Sequence, residues 1–348
     1  MKKEESTVWI KKKALEAGFD LAGITGVSFH KKGFLALQDW LDNKSHGSMK
    51  YMERSPENRA DPAALLSTGR SIIMLGTSYF PGQFFLKTKN EIETAFFALF
   101  PDYHHAIRKK MTLLIKELQV LFPGTEFKSF VDSSPILEKA FAQSAGLGFI
   151  GKNTLLINEN LGSYLFLSGI LTSLELVPDS PVKNSCGSCK LCLKTCPTGA
   201  LEQSYYLKAN KCLSYQTIEQ KGMIPRSFRP LLKNCIWGCD LCQRACPYNQ
   251  RIKIKRDDAV YENLGLKKIF SLSSPHQFEQ EFRDSVFFRG GRNILMRNAC
   301  IAAGNLKDRK WLSDLRHLRE NENDPLIREA AGWAISQIKK AGIRRDKS

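Results

Sequence analysis

Helical and strand-like hydrophobic spacing alternate through the first half of the chain. Apolar residues recur at helical spacing in WIKKKALEAGF, which ends at Gly18, and in HHAIRKKMTLLIKELQVLF, which Pro123 and Gly124 terminate. SIIMLGTSYF is a continuous apolar run typical of a strand, and FKSFV is a short alternating strand. This mixture predicts an α/β (α+β) domain over residues 1 to 178.

The last part of the chain, residues 256 to 348, contains an internal helical repeat. MRNACIAAGNL and IREAAGWAISQI align at one fixed offset, which matches Arg297 with Arg328 and Ala303 with Ala334. Such helices resemble HEAT units, and two units are too few to be stable without packing on the rest of the chain. We therefore predict a C-terminal α-helical domain with HEAT-like repeats.

Composition adds a strong excess of positive charge. The chain has 52 Lys+Arg against 35 Asp+Glu, a formal net charge of +17, while 43% hydrophobic residues exclude disorder for most of its length. A surface of this sign attracts polyanions, of which nucleic acid is the commonest in a cell. A diffusely basic enzyme is the alternative interpretation.

Nothing in the sequence indicates export or membrane insertion. MKKEESTVWIKKK mixes acids with lysines and has no apolar core, so we expect no signal peptide. The longest apolar stretch, residues 161 to 177, is too short and too polar to span a bilayer. We expect a cytoplasmic protein without a membrane partner, in a compartment where its ten cysteines stay free of disulfides.

The cysteines are concentrated between residues 186 and 246, with only Cys300 outside. CGSCKLCLKTCP has the C-x2-C-x2-C-x3-C-P spacing that bacterial ferredoxins use for a 4Fe-4S cluster, and a second run ends at Cys246-Pro247. Structural zinc usually takes two C-x2-C pairs per ion, which fits this spacing less well. We predict a ferredoxin-like domain with two 4Fe-4S clusters over residues 179 to 255.

Ligands can be assigned because the fourth cysteine of each ferredoxin run binds the other cluster. The first cluster would then be held by Cys186, Cys189, Cys192 and Cys246. The second would be held by Cys196, Cys239 and Cys242, together with either Cys212 or Cys235. Cys235 also begins a C-x3-C-x2-C run, the spacing of radical S-adenosylmethionine enzymes, but its late position inside a ferredoxin-like run argues against that class.

The stretch VDSSPILEKAFAQSAGLGFIGKNTLLI contains the best candidate outside the cysteines. Pro135 suits a first helical turn, which predicts a helix over residues 136 to 145 with Ser134 as its cap. Asp132 is then left at a strand end beside a helix N-terminus, where α/β proteins build ligand sites. A turn-forming aspartate is the alternative.

Glycines follow closely after this predicted helix, at Gly146, Gly148 and Gly151. They permit close approach of a large ligand or a tight turn, but they match neither GxGxxG nor GxxxxGK[ST], so nucleotide binding is not supported. The chain also lacks the D-x-H-x-x-G motif of many corrinoid enzymes. Any corrinoid would bind without a histidine ligand from that motif.

Motifs along nearly the whole chain resemble the epoxyqueuosine reductases, cobalamin-dependent iron-sulfur enzymes that complete queuosine at the tRNA wobble position. They are HGSMKYM with RADP (46 to 62), DYH (102 to 104), VDSSP with AGLGFIGKNTLLI (131 to 157), CGSCKLCLKTCPTGAL, CLSYQTIE (212 to 219), and IPRSFRPLL with GCDLCQRACPYN (224 to 249). The resemblance implies that Cys212 completes the second cluster. It also implies an N-terminal domain similar to that of reductive dehalogenases that carries cobalamin, with Asp132 as proton donor.

The implied reaction converts epoxyqueuosine in tRNA to queuosine and water with two electrons and two protons. Electrons would pass between the clusters to cobalt, and Asp132 would protonate the opening oxygen. The resemblance implies cofactor contacts from Arg59, Lys152, Asn153, Leu156, Ser214 and Gln216. The expected partners are this tRNA and a low-potential electron donor of the flavodoxin or ferredoxin type, and the expected state is a monomer.

A basic segment near the C-terminus is a candidate tRNA contact. FFRGGRNILMR puts Arg289, Arg292 and Arg297 beside two glycines, an arrangement suited to phosphates of a folded RNA. Lys221 and Arg226 are further expected tRNA contacts. A solvated basic helix start is the alternative.

Two other function classes fit parts of the sequence. A corrinoid enzyme similar to the reductive dehalogenases would not explain the basic helical repeats, and a non-catalytic iron-sulfur electron-transfer protein would need only the cysteines. The chain also departs from the family pattern. Glu138 and Lys139 stand where Asp-Arg is usual, Phe149 replaces a common Trp, and FLSGI from Phe166, with Ser168, replaces FLGEI. Lysine loses the bidentate hydrogen bonding of arginine, so the detailed substrate contacts are in doubt.

Overall fold

The computed structural model describes residues 1–83, 91–253 and 264–345, with side chains to residue 342. The helices of the N-terminal region are α1 (Lys3–Glu16), α2 (Lys31–Asp42), α3 (Pro56–Ala60), α4 (Tyr103–Leu121) and α5 (Glu138–Ser144). Its strands are β1 (Leu21–Gly26), β2 (Ser71–Ser78), β3 (Glu93–Thr94), β4 (Phe127–Phe130), β5 (Phe149–Ile150), β6 (Leu156–Ile157) and β7 (Leu165–Thr172). The helices and strands predicted from hydrophobic spacing are therefore confirmed.

A four-stranded antiparallel sheet, in the order β1-β2-β7-β4, forms the centre of this region. All of β2 is buried because both faces of the sheet are covered. Ile73 and Leu75 pack with α1 and α4, whereas Ile72 and Met74 pack with α5. The alternation along one strand thus divides two cores, and antiparallel pairing makes the domain α+β.

The helix after Asp132 is shorter than predicted. It begins at Glu138 with Leu137 as N-cap, and no side chain caps it, so the prediction that Ser134 caps the helix is wrong. Residues 131 to 137 form tight turns instead: the Ser133 N–H donates to the Val131 carbonyl and the Ile136 N–H donates to the Ser134 carbonyl.

The cysteine-rich segment consists of short elements. They are α6 (Leu191–Thr195), α7 (Leu213–Ile218), α8 (Arg229–Leu232), β8 (Cys235–Trp237), α9 (Leu241–Arg244) and α10 (Pro247–Gln250). β8 pairs in parallel with β3, which fastens this segment to the N-terminal region, while β5 and β6 form a separate antiparallel pair.

The C-terminal region is helical. Its helices are α11 (Leu266–Phe270), α12 (Pro275–Phe282), α13 (Val286–Gly290), α14 (Arg292–Leu306), α15 (Leu312–Asn321) and α16 (Pro325–Arg345). The two repeated segments are α14 and α16, and they touch directly: a methyl group on Gly304 would lie 2.7 Å from the Cα of Ala334. Glycine and alanine at this contact allow the two helices to approach closely.

One apolar core joins the cysteine-rich segment to the C-terminal helices. Leu213, Ile236 and Trp237 are buried together with Ala299 and Ile327. The predicted boundary at residues 255 and 256 lies outside the described residues. Among the helices that are described, none is both long enough and apolar enough to cross a membrane.

Candidate active site and cluster ligands

The cysteines come together in two sets. Four of them line one pocket beside Pro247 and Tyr248, namely Cys186, Cys189, Cys192 and Cys246. In the second set, burial raises the pKa of Cys239 to about 12, and nearby Cys212 and Cys196 add to the shift. Burial also raises the pKa of Cys242, with Cys239 and Cys212 again close. Such grouped thiols bind metal with release of their protons.

The fourth ligand of the second set was left open by spacing, and the surroundings of the two candidates differ. The Cys235 thiol donates a hydrogen bond to the Gly238 carbonyl, with 2.8 Å between Sγ and O. Cys239 lies close to both candidates, but Cys196 and Cys242 lie close to Cys212. The local contacts therefore favour Cys212 as the ligand.

Lys152 lies against the first cysteine set rather than facing a free cofactor pocket. Its Nζ donates to the carbonyls of Gly187 at 2.5 Å and Cys189 at 2.9 Å, and its backbone N–H donates to the Cys186 Sγ at 3.4 Å. The side chain is only 8% exposed. The Lys152 ammonium group therefore binds the loop of the first cysteine set, whereas the sequence predicted that this residue contacts cobalamin.

Asp132 lies two residues beyond β4, with its backbone in the left-handed region at φ 52°. Its backbone N–H donates to Glu138 Oε1 at 2.6 Å, and its Oδ2 is 3.0 Å from His104 Nε2. On the other side of the ring, His104 Nδ1 is 2.6 Å from Asp102 Oδ1. The imidazole therefore bridges two carboxylates, of which Asp102 also caps α4.

Hydrogen bonding and burial oppose each other in this chain of groups. Burial favours neutral imidazole, but the hydrogen bonds to Asp102 and Asp132 outweigh it and raise the pKa of His104. The hydrogen bond from His104 in turn lowers the pKa of Asp132, although partial desolvation of this half-exposed carboxylate acts in the other direction. Both shifts favour the arrangement in which the shared proton lies on His104 and Asp132 is ionised.

The environment of Glu138 raises the pKa of its carboxyl group, in contrast to that of Asp132. Burial, followed by the charge of Asp132, raises the pKa of Glu138 to about 8. The residue therefore accepts the Asp132 N–H while it is itself mostly protonated at neutral pH. A neutral Glu138 supports the Asp132 turn without adding a second negative charge beside it.

Two further side chains complete the surroundings of His104. Tyr103 stacks on the imidazole with ring centroids 4.0 Å apart and on Phe166 at 3.9 Å, which fixes the ring plane. Arg289 comes from α13, and its Nη1 lies 2.7 Å from His104 Nδ1 and 4.0 Å from Asp132 Oδ2. Sequence reasoning missed His104 as a site residue, although the DYH motif contains it.

Three of the residues expected to contact a cofactor have buried polar atoms without a hydrogen-bond partner in the described part of the chain. The atoms are Arg59 Nε, Asn153 Nδ2 and Gln216 Oε1. Ser214 is half-buried in α7, whereas Leu156 is buried in the core beside α5. Leu156 thus contributes packing.

The segment from residue 46 to residue 59 connects the two groups of candidate residues. The Ser48 N–H donates to Tyr215 Oη on α7 at 2.7 Å, close to the second cysteine set. At the other end, the Leu137 N–H donates to the Arg59 carbonyl at 2.8 Å, just before Glu138. Groups near the cysteines and near Asp132 are thereby held in one framework.

The five expected tRNA contacts divide by exposure. The side chains of Arg226 and Arg289 are 79% and 47% exposed, and Lys221 is also exposed. Arg297 is fully buried and donates to the carbonyls of Gln216, Gln220 and Gly222. Arg292 is buried against the Leu272 carbonyl and Glu322. Protein acceptors therefore occupy these last two guanidinium groups in place of the predicted phosphates.

Two family models match separate parts of the chain. The model described as "Epoxyqueuosine reductase QueG, DUF1730" matches residues 59–133, and the "4Fe-4S double cluster binding domain" matches residues 185–249. An epoxyqueuosine reductase of Salmonella typhimurium is 37% identical over 94% of this chain and 87% of its own length. One from Cyclobacterium marinum is 36% identical over 82% and 91%.

Solved structures of such enzymes are similar over nearly the full length. The epoxyqueuosine reductase of Streptococcus thermophilus superimposes with a TM-score of 0.89 at 32% identity, covering 96% of this chain and 90% of the other. A crystal structure with an epoxyqueuosine-modified tRNA-Tyr stem loop gives a TM-score of 0.87 at 28% identity, with the same coverage. A Bacillus subtilis structure, described as having its aspartate catalytic loop swung out of the active site, gives 0.86 at 28% identity, again with that coverage.

Proposed function

The chain belongs to the epoxyqueuosine reductase family, and on this premise we propose that it reduces epoxyqueuosine in tRNA to queuosine and water. The observation that carries the proposal is the hydrogen-bonded series Asp102, His104 and Asp132. It provides a stored proton in a protein that also groups eight cysteines in two sets. An epoxide reduction needs both protons and electrons, so the two features fit one reaction.

The cysteine sets fit two 4Fe-4S clusters, and Arg59, Asn153 and Gln216 fit the polar periphery of cobalamin. Support for the second assignment comes from their unpartnered buried atoms, which a bound ligand would satisfy. When bound, the clusters supply single electrons and cobalamin supplies a strongly reducing cobalt for cleavage of the carbon–oxygen bond. Ser214 on α7 lies two residues before Gln216 and fits the same group.

The protein itself would supply the proton. His104 would pass its Nε2 proton to Asp132, whose carboxyl group would donate it to the epoxide oxygen as the first carbon–oxygen bond opens. A second proton, taken up from solvent, would release that oxygen as water when the second bond breaks, so the oxygen carries no full negative charge in either step. Asp102 holds Nδ1 and keeps Nε2 directed at Asp132. Arg289 lies against the ring and favours loss of the imidazolium proton.

The turn that carries Asp132 would be the movable part of the site. The Bacillus subtilis structure has its aspartate catalytic loop swung out of the active site. Here the Asp132 turn is attached through its N–H to Glu138 and through its carboxylate to His104. Its left-handed backbone costs about 1 kcal/mol or more, which these contacts offset.

The tRNA would approach over the C-terminal helices. Arg226 lies at a groove on α15 and α16 that also contains Arg319, Arg328 and Lys340 around Trp333. Glu329 is the acidic residue of this groove, and it lies 3.5 Å from Arg226. Together with Lys221 and Arg289, the basic groups and Trp333 provide positive charge and one stacking surface for RNA. We further propose that α14 and α16 pack as HEAT-like repeats. The protein would be a monomer and would act in the cytoplasm.

Anaerobic turnover with epoxyqueuosine tRNA tests the proposed function. We expect wild-type protein to contain about one cobalt and about eight irons and to form queuosine. Asp132→Asn should retain both metals and lose activity by about 10²-fold or more, because its amide donates no acidic proton. Full activity in this variant, or a wild-type protein that binds no corrinoid, would contradict the proposal.

A further inference from the structure

The loop that carries the first cysteine set is exposed and entirely basic. Lys183, Lys190 and Lys194 are all exposed, and no acidic residue occurs between Asp179 and Glu202. Both of these flanking carboxylates are paired. Asp179 contacts Lys11 at 2.8 Å, and Glu202 contacts Lys208 at 2.6 Å. The loop therefore presents three exposed positive charges, with Glu159 beside it as the acceptor of a hydrogen bond from Asn184.

An apolar side chain lies at the centre of this basic loop. Leu191 is 46% exposed and also lines the pocket formed by Cys186, Cys189, Cys192 and Cys246. A protein that contacted Leu191 would therefore lie directly over the first cluster. The second set differs, because Cys239 and Cys242 are interspersed with buried Trp237, Asp240 and Gln243.

We propose that Lys183, Lys190, Leu191 and Lys194 form the docking surface for an acidic one-electron donor protein of the flavodoxin type. The inference rests on the proposed function, which needs an external source of electrons. An exposed apolar centre with a basic rim fits a weak encounter with an acidic partner, in which charge accelerates association.

The electron balance is simple. Each encounter would oxidise one flavodoxin hydroquinone to the semiquinone and supply one electron to the cluster that Cys186, Cys189, Cys192 and Cys246 would hold. Two encounters supply the two electrons that removal of one epoxide oxygen as water consumes. The first cysteine set, which lies under Leu191, would hold the entry cluster, and the cluster of the second set would receive electrons from it.

Charge-reversal variants can distinguish the contribution of this surface from that of the protein's overall positive charge. The test pair is Lys190→Glu with Lys194→Glu, and the control pair is Lys116→Glu with Lys128→Glu, two exposed lysines on α4 and β4. Anaerobic stopped-flow mixing with a purified acidic bacterial flavodoxin hydroquinone would follow the loss of cluster absorbance. We expect the second-order rate to fall by about tenfold or more in the test pair only. Affinity for oxidised flavodoxin should fall in parallel.

Measuring the iron content checks that the substitutions leave the clusters in place. If Lys194→Glu lowers the iron content, Lys183→Glu with Lys190→Glu provides a second test pair. With dithionite as reductant, queuosine formation by the test pair should equal that of wild type. Equal rates in test and control pairs would overturn the inference, as would weaker binding of the tRNA stem loop with unchanged electron transfer, since the surface would then bind RNA. Failure of wild type with dithionite would instead refute the proposed function.

Discussion

The two cysteine sets and the Asp132 site are built from the chain in different ways. All eight proposed cluster ligands lie within one segment, residues 186 to 246. The Asp132 site takes its groups from four separated places, including Asp102, Glu138 and Arg289. Local spacing can therefore specify most of the metal chemistry, whereas the proton chemistry exists only after the tertiary fold has formed.

The largest expected effect on activity comes from removing a cysteine of the second run that binds the first cluster. Cys246→Ser should remove the first cluster, reduce iron to about half and abolish turnover, because one thiolate of four is lost from that cluster. Iron analysis and electron paramagnetic resonance would measure this. Cys235→Ser is the matched control and should retain all iron, since its thiol bonds the Gly238 carbonyl. Loss of a cluster in the control would exchange the roles of Cys212 and Cys235.

Loss of the bridging imidazole should have the next largest effect. His104→Gln should retain both clusters and lower the turnover rate by about 10²-fold, because Asp132 then lacks its proton source. The neighbouring His105→Gln, at an exposed position, should stay close to wild type. Equal activity of the two variants would show that Asp132 receives its proton directly from solvent.

Substitution of Asp102 should shift the pH dependence of turnover in a predictable direction. Because turnover needs protonated His104, the rate should decline as pH rises through the raised pKa of that residue. Asp102→Asn keeps the helix cap but removes the charged partner, so the pKa of His104 falls and the decline moves to lower pH. Asp308→Asn, at another helical cap, should leave the pH profile unchanged. A shift to higher pH would contradict the bridging arrangement.

The smallest expected effect concerns stability at Glu138. Its pKa is raised from 4.5 to about 8, so the folded protein holds a proton that the unfolded chain releases between these values. Stability is therefore lost as pH rises through this window, and Glu138→Gln should raise the melting temperature at pH 8.5 but hardly at pH 4. Glu320→Gln, an exposed change on α15, is the control. Equal shifts in both variants would point to net charge alone.

Regions shaped by interactions between residues close in sequence were predictable, whereas regions shaped by long-range contacts were not. Hydrophobic alternation was sufficient for β2 and α4, and ferredoxin spacing grouped the cysteines, since both depend on neighbours along the chain. The start of α5 was misplaced because contacts of Glu138 and Leu137 overrode the preference of Pro135 for a first helical turn. Arg297 was misassigned because a basic motif does not reveal that its guanidinium fills a buried set of carbonyls.

Arg289 has a consequence for the order in which the enzyme matures. It contacts His104 from a helix near the end of the chain, although His104 belongs to the first third. A ribosome would have released every cluster ligand before synthesising Arg289. The cysteine-rich segment depends on the same late region, because Arg297 and Asn298 on α14 donate to the carbonyls of Gln216, Thr217 and Ile236. The last helices therefore complete the proton-delivery site and the surroundings of the second cysteine set together, and a chain that stopped before them would lack both.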